Sequence, residues 1–249
     1  MNSRPVFLQI FICLFAVACV SGCAAKADPA PSAGFIPAAL LKETAGYPFH
    51  KAWVRPNLHL KDYHYLYVAP IDVEHIRQMT WWQEFGNKGN VESDLEDLAR
   101  YTQEEIKNAF INHPAQPFRI TSYPAEGGLA LEFALTEVVP NKAVLEAMTY
   151  AFAPLGLVIS TIAQSATHAN SQSYVAFEAI VRDNSTQEIV ATFADREGEQ
   201  GALMSVRGFS WYGHAKNAIR SWAEQLVAVF NKAEDKAIPD RGAYTLKPW

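Results

Sequence analysis

The side chains best placed for acid–base work are Asp183, Asp195 and Glu178, with Arg196 next to the second. Hydrolysis by paired carboxylates needs two of them across one cleft, one giving a proton while the other activates water or attacks. Asp183 and Asp195 flank a stretch that opens with the turn-forming run Asp183-Asn184-Ser185-Thr186, so on paired antiparallel strands they could meet near the hairpin ends, oriented by Arg196. The plainer interpretation is preferred: Asp183 caps the turn, as aspartate commonly does, and Asp195 forms a surface ion pair with Arg196. These three residues stay as polar-site candidates, and no catalytic residue is assigned. The densest group of possible metal ligands is His59, Asp62, His64, Asp72, Glu74 and His75. No two histidines there have the spacing that stacks imidazoles on one helix face, so neither a metal nor a non-covalent cofactor is expected. The segment Gly208-Phe209-Ser210-Trp211-Tyr212-Gly213 lacks the spacing of a nucleophile elbow.

The remaining reactive groups are three cysteines, Cys13, Cys19 and Cys23, and their surroundings decide what they can do. Arg4 precedes a nearly unbroken apolar run from Val6 to Val20, shorter than the roughly 20 residues of a spanning helix and closed by small residues. That is the pattern of a signal peptide, expected over residues 1–22. Val20-Ser21-Gly22-Cys23 resembles the bacterial lipobox, an aliphatic residue and two small ones before a cysteine. The resemblance implies cleavage after Gly22 and covalent lipid, palmitate included, on Cys23. Cys13 and Cys19 would leave with the signal, which removes any disulfide framework, cysteine nucleophile or cysteine-based zinc site. The resemblance also implies an outer-membrane destination, with the domain facing the periplasm, because Ala24 stands where lipoproteins retained in the inner membrane carry an aspartate. With 26 acidic against 21 basic side chains, nucleic acid is not expected as a partner.

The elements that must position these groups follow from hydrophobic period. Residues 23–33 are rich in Ala, Pro and Ser without a period and should form a flexible lipidated tether; residues 34–249 should form a single domain. Tyr63 to Ala69 has strand composition and is stopped by Pro70, while the stretch from Tyr47 to Trp53 shows no clean period. Trp81 to Asn90 carries enough Gly and Asn to suggest a loop, which would leave Trp81 and Trp82 as a possible interaction surface. Ser93 and Glu96 suggest a capping box opening a helix through Leu95, Leu98, Thr102, Ile106 and Ala109, closed by Pro114. Phe118 to Thr121 is a short strand, Leu129 to Thr136 a half-buried one, and Val175–Val181 with Ile189–Phe193 a hairpin. Ala215, Ile219, Trp222, Leu226, Val229 and Ala233 mark a final helix.

The resulting order is β-α-β-β-insertion-β-β-α. It predicts an α+β fold: one small domain, an antiparallel or mixed sheet, and two main helices packed on one side. The insertion includes the uncharged segment 147–167, expected as a crossover helix buried against the sheet, or otherwise as an apolar surface for a partner or the bilayer.

Gly34-Phe35-Ile36, Trp53-Val54-Arg55-Pro56, Tyr65-Leu66-Tyr67-Val68-Ala69-Pro70, the turn Asp183-Asn184-Ser185-Thr186-Gln187-Glu188 and the later Asp195-Arg196 together resemble the bacterial lipoproteins grouped as domain of unknown function 3313. The turn departs from that pattern at Gln187, where the family usually has glycine. Glutamine there must avoid positive φ or carry its strain. The resemblance implies location and fold, and no substrate. The function expected is that of a non-enzymatic accessory lipoprotein of the outer membrane, touching an envelope protein or a second copy of itself. The alternatives are an envelope hydrolase using the paired carboxylates, or a carrier of a small apolar ligand or lipid beneath 147–167.

Overall fold

The computed structural model describes residues 27–140, 144, 145, 148, 172–200, 212, 213, 215–232, 237 and 238. The expected signal peptide, Cys23, and the 147–167 segment apart from Met148 lie outside the described residues.

Alternation builds the strands and three-four spacing builds the helices. Strand β1 is Lys51–Val54 and β2 is Tyr65–Val68; two short helices follow, α1 Glu74–Arg77 and α2 Thr80–Phe85, then the long α3, Val91–Asn112. After β3, Arg119–Thr121, come the long strands β4 Gly128–Val139, β5 Gln172–Asp183 and β6 Ile189–Gln200, and finally α4, Ala215–Phe230. They form one α+β domain around a mixed, open six-stranded sheet ordered β1-β6-β5-β4-β2-β3. Neighbours from β1 through β4 are antiparallel, while β2 runs parallel to both β4 and β3. Asp72 resumes the ladder beyond Pro70 through Phe133 and Leu135.

The two main helices cover one face of this sheet. Helix α3 turns Leu95, Leu98, Thr102, Ile106 and Phe110 inward, and α4 does the same with Ile219, Trp222, Leu226 and Phe230. Aromatic rings bind the layers: Phe133 stacks on Phe177 at 4.6 Å, Trp222 meets Phe177 edge-on at 4.7 Å, and Phe110 meets Phe230 at 5.4 Å.

Four local expectations are corrected. The stretch from Tyr47 to Trp53, without a clear period, contributes β1, paired to Ala191–Ala194 of β6. The supposed loop from Trp81 is helix α2, because Trp81, Trp82 and Phe85 are all buried and fold onto the core as one short amphipathic turn. Helix α3 starts at Val91, two residues before the expected cap, so Ser93 sits inside its first turn and donates its hydroxyl to the Asn90 carbonyl at 2.9 Å. Finally, β4 is buried on both faces, Ala130 and Ala134 as well as the leucines.

That second face of the sheet is covered by the N-terminal segment. Ile36 is buried, the Leu40 carbonyl accepts from the Thr192 hydroxyl at 2.8 Å, and Pro29 to Pro31 border the sheet residues Thr136 and Glu178. The described part of the expected tether, 27–33, thus lies along the sheet. Its composition conceals this because the bonds that seat it come from its backbone.

Candidate functional site

The sheet register separates the three carboxylates. Asp195 stands opposite Phe177 and shares its face, the helix side; Glu178 stands opposite Ala194 on the other face. Asp183 lies six residues further along β5 than Phe177, about 20 Å at strand rise. No two of them meet across a cleft.

Each is engaged where it stands. Glu178 is buried beneath the N-terminal segment, where Oε1 accepts the Ala33 N–H and Oε2 the Ile36 N–H, both at 2.8 Å. Asp195, 2% exposed, accepts the His50 backbone N–H at 3.0 Å on Oδ1 and the Trp222 indole N–H at 2.9 Å on Oδ2. The His50 imidazole lies alongside, Nδ1 at 2.6 Å from Asp195 Oδ1, and its Nε2 donates to the Ala27 carbonyl at 2.8 Å. The slit enclosed by Pro29, Pro31, His50, Glu178 and Asp195 measures about 10 Å³, about the room of a single water. The His–Asp pair, with its outer nitrogen bonded to a backbone carbonyl, holds the chain from Ala27 against the sheet.

Arg196 does not pair with Asp195, which corrects the expected surface ion pair: neighbours on a strand point to opposite faces. Its guanidinium reaches across β5 to make a bidentate pair with Glu137, 2.7 and 2.9 Å, and lies 4.0 Å over the Tyr174 ring. The small Ala176, between the two in the register, leaves the path open.

Asp183 does cap its turn. Its Oδ1 accepts the backbone N–H groups of Ser185 and Thr186 at 2.7 and 3.1 Å, and its Oδ2 accepts the Tyr63 hydroxyl at 2.8 Å. Burial alone would raise its pKa; the Tyr63 hydroxyl, the Thr186 and Ser185 amides and the Arg55 charge outweigh that and hold it below the ordinary carboxylate value. Tyr63 moves the opposite way, raised by burial and by its bond to Asp183. Gln187 carries the strain anticipated for it, at φ 62°. Trp81 and Trp82 are 8% and 6% exposed, so they do not offer a contact surface. Of the histidine-rich group, Asp72 accepts the Glu74 N–H, Glu74 pairs with Arg77, and the described residues hold no group of three or more metal-binding side chains.

Residues 32–226 match the family described as "Protein of unknown function (DUF3313)". The chain belongs to the DUF3313 family. No curated protein matches it. Among solved structures, the DUF3313 chain is similar to a PelC dodecamer from Paraburkholderia phytofirmans, with a TM-score of 0.35 and 12% identity over 71% of this chain and 94% of that one. A point variant of that dodecamer in another space group gives a TM-score of 0.34 and 11% identity over 71% and 96%.

Within this DUF3313 domain the residues that complete the polar cluster, His50, Trp222 and Glu137, were not singled out from sequence. Trp222 was legible as a core residue of the last helix, but its N–H partner lies 27 residues away, and His50 reaches Asp195 across 145. Local patterns carry no signal over such separations. No helix among the described residues is long and apolar enough to cross a membrane.

Proposed function

We propose that this chain is an envelope lipoprotein, cleaved after Gly22 and lipidated on Cys23, whose domain is held at the periplasmic side of the outer membrane. In this reading it acts without catalysis, as an accessory protein that contacts an envelope partner or a second copy of itself. The observation that carries it is the seating of the N-terminal segment: Ala27, four residues beyond Cys23, is already bonded to His50. Four extended residues reach at most about 14 Å, so lipid on Cys23 would hold the domain against the bilayer instead of on a long leash. The engagement of Glu178, Asp183 and Asp195 in backbone and side-chain bonds favours a binding role over a hydrolytic one.

The test is metabolic labelling of the full chain with an alkyne analogue of palmitate, beside Cys23→Ser. Label on the wild type that vanishes in the variant, with the mature chain starting at residue 23, supports the anchor; an unlabelled chain sinks it. Cross-linking in intact cells then tests the accessory role. A defined, stoichiometric adduct supports it, and a chain that stays monomeric under all conditions overturns it.

A further inference from the structure

A cavity of about 340 Å³ opens between the C-terminal end of α4, the loop after β1 and the helix-side face of β5 and β6. It lies apart from the carboxylate cluster. Its floor is apolar, built from Val181, Phe193, Val229 and Phe230, with Leu58 at the mouth. Its rim carries charge from Arg55 and Lys232. Arg55 is fixed there by Glu188 at 3.0 Å, and the Lys232 ammonium stands 4.2 Å from the Tyr47 ring centroid, with no described carboxylate paired to it. Asn57, also on the rim, holds φ 59°, in the left-handed region that asparagine tolerates.

An apolar hollow with the Lys232 ammonium and the Glu188-paired Arg55 at one mouth, on a chain that is acidic overall, is complementary to a molecule with an apolar tail and one negative head. At about 340 Å³ the cavity is at the small end of ligand pockets, room for a single medium-length acyl chain. We propose that this cavity binds a single-chain anionic amphiphile, its tail against Phe193 and Val229 and its head at Lys232 and Arg55. The inference goes beyond the accessory reading and does not depend on lipid at Cys23. It names a ligand class shared by free fatty acids and lysophospholipids.

The test uses the purified full chain mixed with phosphatidylcholine vesicles and dodecanoate bearing a terminal diazirine, with cross-links mapped by peptide mass spectrometry. Saturable labelling is expected in β6 and α4, displaced by unlabelled dodecanoate and not by dodecyltrimethylammonium. Displacement by lysophosphatidylglycerol as well would extend the ligand to phospholipid heads; displacement by dodecanoate alone would restrict it to carboxylates. Lys232→Glu should weaken labelling about ten-fold, the loss of one charged contact, and Leu58→Trp should block the mouth; both sites are partly exposed, so thermal melts should match the wild type. Labelling spread evenly over the surface, or equal displacement by the cationic surfactant, would overturn the proposal without needing either variant.

Discussion

Asp183 and Gln187 sit four residues apart in the β5–β6 turn and act on it in opposite senses. The carboxylate satisfies two backbone donors and the Tyr63 hydroxyl, while the glutamine occupies a left-handed conformation that costs a residue with a Cβ about 1 kcal/mol. Because the folded pKa of Asp183 is depressed below 3.8, its stabilisation is fully present above that value and is lost as pH falls through the folded pKa. Asp183→Asn should therefore cost about 1 kcal/mol at neutral pH and flatten the acid limb of the stability curve, as read from urea melts at stepped pH. Wild-type and variant curves that run parallel below pH 3.8 would contradict this assignment. The capping role of Asp183 was legible, since an aspartate heading Asn-Ser-Thr makes a turn by local chemistry. The role of Asp195 was not, because its partners come from β1's approach and from α4, and strand neighbours face opposite ways whatever their charges.

At the scale of elements, helix α2 shows how a local signal misleads. Gly86, Asn87, Gly89 and Asn90 do mark a turn, but the aromatic residues just before it form a helix that drives Trp82 into the core. Gly86 is what allows the close approach: a Cβ there would stand 2.3 Å from the Trp82 ring nitrogen. Gly86→Ala should cost about 1–3 kcal/mol through overpacking, although its backbone is ordinary helix and alanine favours helix. A thermal midpoint equal to or above that of the wild type would show that α2 can shift away. The long strands and the two main helices were legible because their side-chain periods reach the core without help from distant chain. Strand β1, only four residues long, has too few positions to display a period and exists because β6 pairs with it.

At the scale of the whole molecule, the sheet is sandwiched between helices on one side and residues 27–42 on the other, and a single buried carboxylate ties down that second layer. Glu178→Ala would leave the Ala33 and Ile36 amides without their acceptor and should cost about 3 kcal/mol. It should also expose 27–36 to protease at concentrations the wild type resists. Unchanged cleavage in that window would mean that Ile36 packing and the bonds to His50 and Thr192 seat the segment without Glu178. The layer order has another consequence, for self-association. Three twelve-residue strands form the middle of the sheet, yet its edges are β1 and β3, of four and three residues. Short rims present few free ladder groups to a neighbouring chain. Edge-to-edge pairing of copies through β1 or β3 is therefore limited to a few ladder groups, and a longer contact of that kind would draw on the part of β6 beyond Ala194 that β1 does not reach.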